Sequence, residues 1–132
     1  MRRVAVVLLA LLAGCSPLST KPSPEEIAAM RPAEALTRFI EAAQHRDQHT
    51  GERLAGECWA GVRGWFREAG PKIRDYAVPE VDEPAAGALA AWVDFDYASG
   101  SADAPKESWH ATLRRDGAGS PWRVCEIYDF GG

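Results

Sequence analysis

Residues 88–98 are ALAAWVDFDYA, and this stretch decides the fold class. Its residues alternate in a period of two, the pattern of a β-strand with one buried face. One face carries Leu89, Ala91, Val93, Phe95 and Tyr97, and the other carries Ala90, Trp92, Asp94 and Asp96. Such a strand suits an antiparallel sheet, because the second face of that sheet can stay in water.

Three weaker strand patterns surround this one. They span residues 72–81, 107–115 and 121–130. Segments rich in Gly, Asp, Ser and Pro separate them, at 82–84, 99–101 and 116–119, and such segments favour turns. We therefore predict an antiparallel meander of four strands.

Two helical regions precede the strands. Residues 32–47 place Leu36, Phe39, Ile40 and Ala43 at i, i+3, i+4 and i+7, which gives one apolar stripe. Gly51 is expected to end this helix. Residues 50–69 carry a second stripe that is interrupted by Gly56, Gly61 and Gly64, so we expect a broken helix there. Together these elements predict an α+β fold with two N-terminal helices on a four-stranded sheet.

The N-terminus has the features of an export signal. Arg2 and Arg3 precede an apolar run of 10 residues, 4–13, which is too short for the roughly 20 residues of a membrane span. The run ends in Leu12-Ala13-Gly14-Cys15, which resembles the lipobox of bacterial lipoproteins. The resemblance implies a signal peptide, 1–14, and a diacylglyceride on Cys15. The alternative is an ordinary signal peptide, with Cys15 an incidental thiol.

Charge and composition limit the partners. The chain has 132 residues and a net charge of −4, with no basic cluster, so nucleic-acid binding is not expected. Cleavage removes two of the 15 basic residues and none of the 19 acidic ones, so the mature charge is −6. Anionic lipid repels such a domain, so the lipid on Cys15 would be its membrane anchor. Residues 15–31, rich in proline, are expected to form a tether.

Several short stretches resemble one superfamily. These are Ala33-Glu34-Ala35-Leu36-Thr37-Arg38-Phe39-Ile40-Glu41-Ala42-Ala43, Cys58-Trp59 and Trp122-Arg123-Val124-Cys125. With the lipobox and the tether, they resemble the nuclear-transport-factor-2-like (SnoaL-like) superfamily, and within it small bacterial lipoproteins. The resemblance implies one domain, 32–132, in which a strongly bent sheet wraps the first helix as a cone with a cavity. The superfamily contains isomerases, dehydratases, polyketide cyclases and non-catalytic binding modules, so the fold does not decide the function.

Two cysteines remain after Cys15. An oxidising compartment predicts a disulfide between Cys58 and Cys125, and two buried free thiols are the alternative. Strand alternation puts Cys125 on the face opposite Val124. If Cys125 reaches the second helix, either both faces of the last strand are partly covered or a β-bulge shifts the alternation.

Candidate site residues follow from the implied cavity. Phe39, Trp92, Tyr97 and Trp109 could line it and bind an apolar ligand, or they could simply be core. Glu126, in phase with Val124 and Tyr128, could act as a base, or it could pair with Arg114 or Arg115 across the hairpin. His45 and His49 have the spacing of a metal pair but suit a solvated helix end better. We expect no metal and no cofactor.

The sequence therefore predicts a membrane-anchored, extracytoplasmic lipoprotein, on the outer membrane if the host has one. Its domain would bind a small apolar ligand or an envelope protein without catalysis. The alternative is a small isomerase or dehydratase that uses a single acid or base in the cavity. A third interpretation is an accessory part of a membrane complex, of which an exposed apolar patch would be the sign.

Overall fold

The computed structural model describes residues 21–78, 87–97 and 107–128, and the backbone alone at Tyr97. Four α-helices come first: α1 (Pro24–Ala29), α2 (Pro32–Gln44), α3 (Gln48–Ala55) and α4 (Trp59–Val62). Two 3₁₀ turns, Gly56–Cys58 and Arg63–Phe66, flank α4. Four strands follow: β1 (Ile73–Ala77), β2 (Ala88–Tyr97), β3 (Glu107–Arg114) and β4 (Arg123–Tyr128). The expected signal peptide, Cys15 and residues 129–130 lie outside the described residues.

The strands form one antiparallel sheet in the order β1-β2-β3-β4. This confirms the predicted α+β class and the four-stranded meander. The predicted alternation of β2 is also confirmed, because Ala91, Val93 and Phe95 are buried while Trp92 and Asp94 are exposed. The inner face of the sheet packs on the helices, and the outer face carries the polar residues.

The core lies between α2 and the inner face of the sheet. The predicted stripe of α2 is buried, with Leu36, Phe39 and Ile40 at most 1% exposed. Phe66 packs edge-to-face on Phe39, with 5.2 Å between the ring centroids. The strands contribute Val93, Phe95, Ala111, Leu113, Val124 and Ile127.

The helical region is divided differently from the prediction. α2 ends at Gln44, and Gly51, the expected stop, lies buried inside α3. Arg46, which follows the C-cap residue His45, leaves the helical path instead, with a positive φ of 57°. Its guanidinium donates hydrogen bonds to the carbonyls of Trp65, Gly70 and Pro71, which holds the backbone in this unfavourable region. The expected break in the second region is present, as two 3₁₀ turns.

Part of the segment expected to be a tether packs on the domain. Ser23 and Glu26 form a capping box at the start of α1. Ile27 and Met30 are buried in the core, and Arg53 donates a hydrogen bond to the carbonyl of the buried Pro22. The packed unit therefore includes residues from Pro22 onward, ten residues before the predicted boundary at residue 32.

Candidate functional site

The outer face of the sheet carries an exposed aromatic residue at its centre. Trp92 on β2 is 52% exposed, and it is the one large hydrophobic side chain with this property in the described part of the chain. Its position follows from the sequence, since it falls on the polar side of the alternation in β2. When a partner covers a large aromatic surface that is exposed to water, the free energy falls, so such a surface favours binding.

Trp92 belongs to a row of three rings across the strands. The register places Trp92 opposite His110, and His110 opposite Tyr128. The ring centroids are 5.2 Å apart for the first pair and 5.3 Å for the second, and both contacts are edge-to-face. His110 Nδ1 also lies 3.0 Å from the hydroxyl of Tyr128, at hydrogen-bonding distance. We call Trp92, His110 and Tyr128 the aromatic row.

Acidic residues stand on both sides of the aromatic row. Asp94 follows Trp92 on the same face of β2, and its carboxylate accepts a hydrogen bond from Ser108. Glu126 lies on the other side, next to Tyr128 on β4, and it is exposed. Asp96 is neutralised by Arg74, whose guanidinium approaches the carboxylate to 2.7 Å. The row therefore lies between two carboxylates, Asp94 and Glu126, that have no such ion pair among the described residues.

A bulge in β4 sets the position of Glu126. Thr112 is opposite Glu126 and Leu113 is opposite Val124, so Cys125 is an extra residue without a partner on β3. Val124 and Ile127 are buried while Glu126 is exposed. The expectation that Val124 and Glu126 share a face is therefore wrong, because the bulge inverts the alternation between them.

The other sequence-predicted residues do not surround one cavity. Phe39 is fully buried in the core. Trp109 lies on the inner face, partly buried, with its ring 5.1 Å from that of Trp65. Trp92 is on the opposite face of the same sheet, and the side chain of Tyr97 lies outside the described residues. Phe39 and Trp109 are thus placed as core residues, and Trp92 as a surface residue.

Two clefts lie on the helical side of the domain. One, of about 570 Å³, is open and is lined mainly by polar side chains: Gln44, Arg46, Gln48, Phe66, Glu68, Lys72 and Ile73. The other, of about 300 Å³, lies between α1 and the approach to β4, and Arg53 and Arg123 are in its wall. In both, an arginine bonds to backbone carbonyls, so its guanidinium supports the fold.

The predicted disulfide between Cys58 and Cys125 is present. It joins the 3₁₀ turn after α3 to the bulge of β4. Arg114 Nη2 lies 3.7 Å from Cys58 Sγ, so this guanidinium is directed toward the helical edge of the sheet. Because Cys125 is the extra residue of the bulge, its side chain can reach Cys58 on the helical side while Val124 stays in the core.

The histidine pair is divided between two helices. His45 caps α2 and His49 lies in α3, and both are exposed. The described residues contain no group of His, Cys, Asp and Glu side chains that could hold a metal ion. Nor does the described part of the chain include a helix long and apolar enough to cross a membrane.

Among the described residues, two ionisable groups have shifted pKa values, and both lie away from the aromatic row. Burial raises the pKa of Tyr76, and the nearby carboxylates of Glu41 and Asp75 add to the effect. At Asp47, burial opposes a lower pKa, but hydrogen bonds from Thr50 outweigh it and lower the pKa. Asp47 is the N-cap of α3, so its lowered pKa reflects helix capping and does not mark a functional site.

Sequence reasoning did not find the aromatic row as a unit. Alternation grouped Trp92 with Asp94 and Asp96, but nothing local aligned it with His110 and Tyr128, since register depends on strand pairing. Comparisons with protein-family models, with curated proteins and with solved structures gave no match to this chain. The candidate site therefore rests on its own geometry.

Proposed function

We propose that this chain is a lipid-anchored, extracytoplasmic binding protein, with a non-catalytic domain of the nuclear-transport-factor-2-like type. The outer face of the sheet is its binding surface. The observation that carries this proposal is the aromatic row with Trp92 at 52% exposure. Tryptophan and tyrosine are enriched among the residues that dominate binding energy at protein interfaces.

The packing of the core favours a surface site over an internal one. Phe39, Phe95 and Leu113 fill the space between α2 and the sheet and are fully buried. Cross-strand contacts hold the rings of the aromatic row, so ordering them on binding costs little conformational entropy. An envelope protein suits this face better than a small apolar ligand, because the row lies on an open strand surface.

The anchor would keep the domain close to the membrane. Pro22 is packed on the domain, and six residues, 16–21, separate it from Cys15. A chain spans at most about 3.4 Å per residue, so Cys15 lies within about 24 Å of Pro22. This short tether supports a partner in the same envelope layer.

The enzymatic alternative gains no support from the described residues. Glu126, its candidate base, is exposed on the outer face. A general base is usually positioned in a cleft that shields the reaction from water. Glu126 is not among the residues that line the two clefts described above.

The anchor is tested by lipid labelling. The full chain is expressed in bacteria with radiolabelled palmitate, and the label and the membrane fraction are followed for Cys15→Ala. We expect both to be lost in this variant, while the matched double variant Cys58→Ala/Cys125→Ala keeps them. Unchanged labelling of Cys15→Ala would contradict lipidation.

The binding surface is tested by photocrosslinking in cells. A photoreactive amino acid replaces Ala90, exposed on the outer face, or Ala60, exposed in α4. We expect a discrete adduct from position 90 that disappears when Trp92→Ala is added. Adducts from position 60 alone, or an adduct indifferent to Trp92→Ala, would refute the outer face as the binding surface.

A further inference from the structure

We propose that the aromatic row and its two flanking carboxylates bind an extended segment of a partner protein that carries two separated basic side chains. The inference rests on the proposed function, since it names the chemistry of the partner for the same face. The observations that carry it are the charges beside the row and the distance between them.

The two flanking carboxylates determine the sign of the partner's charge. Asp94 and Glu126 are both exposed and lie on opposite sides of the row. Two arginines of the sheet have other contacts: Arg74 pairs with Asp96, and Arg114 lies beside the sulfur of Cys58 at the helical edge. Among the described residues, the two carboxylates beside the row are therefore without an ion pair, and they complement a cationic partner.

The indole ring of Trp92 offers a second contact to a basic side chain. The face of a tryptophan indole is the best aromatic partner for a guanidinium or ammonium group. A basic side chain that reaches Asp94 passes Trp92, because these two residues are neighbours on one face of β2. The aliphatic part of the side chain would cover the exposed indole while its charged end meets the carboxylate.

The distance between the two carboxylates determines the size of the partner. Asp94 and Glu126 are two strands apart, and their partners on β3, Ser108 and Thr112, are four residues apart. With about 3.3 Å per residue along a strand and 4.8 Å between strands, their Cα atoms are about 16 Å apart. A small molecule with one cationic group can pair with only one of these carboxylates. An extended peptide can pair with both if its two basic residues are five positions apart, since five residues span about 16 Å.

The same charges disfavour two other occupants. A second copy of the mature chain carries a net charge of −6 and the same acidic face, so this face repels its own copy. An anionic lipid surface is repelled for the same reason. A basic protein segment is attracted both by the net negative charge of the chain and by the carboxylates of Asp94 and Glu126.

The test uses labelled peptides and the full chain, purified from bacterial membranes in a nonionic detergent. The main probe has two arginines separated by four serines, a second has adjacent arginines, and a third has glutamine in place of both arginines. Binding is measured by fluorescence anisotropy at low and at raised salt. We expect the separated arginines to bind best, about tenfold better than the glutamine peptide, and binding to weaken with salt.

Variants locate the site on the sheet. Trp92→Ala should weaken binding of the main probe about tenfold, and Asp94→Asn or Glu126→Gln about threefold each. Asp116→Asn is the matched control, because it removes the same charge from an exposed turn between β3 and β4. It should leave the affinity unchanged. Thermal unfolding confirms that each variant is folded.

Three outcomes would overturn the inference. Equal binding of the arginine and glutamine peptides would exclude a cationic partner. If Asp116→Asn weakened binding as much as Asp94→Asn, the net charge of the chain and not the position of Asp94 would explain the loss of affinity. Binding of none of the peptides would also overturn it. In each case the Trp92-dependent crosslink from position 90 tests the binding surface separately, so the two failures are distinguishable.

Discussion

Cys125 forms its disulfide with Cys58 from the one position of β4 that has no partner on β3. The bulge turns the Cys125 side chain toward the 3₁₀ turn that follows α3, and it leaves Val124 and Ile127 facing the core. The disulfide thus ties the helical layer to an edge strand, at a place where ladder hydrogen bonding is interrupted.

Removing the disulfide should destabilise the domain substantially. The two cysteines are separated by 67 residues, for which the chain-entropy model gives about 4 kcal/mol at most. We expect Cys58→Ala/Cys125→Ala to lower the free energy of unfolding by about 2–4 kcal/mol, measured by urea denaturation. A reductant should shift the unfolding midpoint of the natural chain and leave that of the double variant unchanged. An equal shift in both proteins would contradict a structural disulfide.

Gly51 is required by the packing of Phe66. A Cβ at position 51 would overlap the Phe66 ring, which is itself buried against Phe39. Gly51→Ala should therefore destabilise the domain by about 1–3 kcal/mol, because a packed ring has no room to move. Gly64→Ala is the matched control, since a Cβ there meets no atom within 4 Å. Its stability should be unchanged or higher by up to about 1 kcal/mol, and similar losses from both variants would argue against this packing.

Arg46 combines an unfavourable backbone with favourable side-chain contacts. Its φ is 57°, and its guanidinium bonds to three carbonyls. Arg46→Gly relieves the backbone but loses these bonds, and we expect a net destabilisation of roughly 2 kcal/mol. Arg46→Ala should be worse by about 1 kcal/mol, because alanine keeps the backbone penalty. Thermal or urea unfolding of both variants checks this order, and equal stability would contradict the backbone argument.

Asp47 should give α3 a stability that depends on pH. Its carboxylate accepts hydrogen bonds from the backbone and the hydroxyl of Thr50, which lower its pKa below the ordinary value of 3.8 in the folded state. A lowered pKa stabilises the fold above 3.8, and this contribution is lost as the pH falls through the folded pKa.

Asp47→Ala should therefore destabilise the domain by about 1 kcal/mol at neutral pH, as expected for the loss of an N-cap. The difference from the natural chain should shrink as the pH falls below about 4. Asp47→Asn keeps a capping oxygen without the charge, so its effect at neutral pH should be smaller. Urea denaturation between pH 3 and pH 7 measures both, and a difference that grows in acid would contradict the assignment.

Local patterns predicted the elements of this fold well. The alternation in β2 and the stripe in α2 are both confirmed, because each depends on residues only a few positions apart. The end of α2 was missed. Gly51 has the character of a helix stop, but its actual role is to make room for Phe66, which comes from a distant part of the sequence. The burial of Ile27 and Met30 was missed for a similar reason.

The candidate site was predicted only in part. Alternation assigned Trp92 to the face of β2 that carries Asp94 and Asp96, but Trp92 was also proposed as a cavity residue with Phe39, Tyr97 and Trp109. The structure separates Trp92 from Phe39 and Trp109, because a sheet has two faces and Trp92 and Trp109 are on opposite ones. Alternation assigned Glu126 to the face of Val124, which is wrong, since the extra residue Cys125 in β4 reverses the faces beyond it.

By itself, the sequence determined which segments are helices and strands, which residues of β2 share a face, and that Cys58 and Cys125 could pair. Periodicity and composition are local properties, and they are present in the chain before it folds. Tertiary structure alone decided the register that aligns Trp92, His110 and Tyr128, and the bulge that turns Glu126 outward. Register and bulges depend on which residues of distant strands pair, and that choice is made by packing of the whole core.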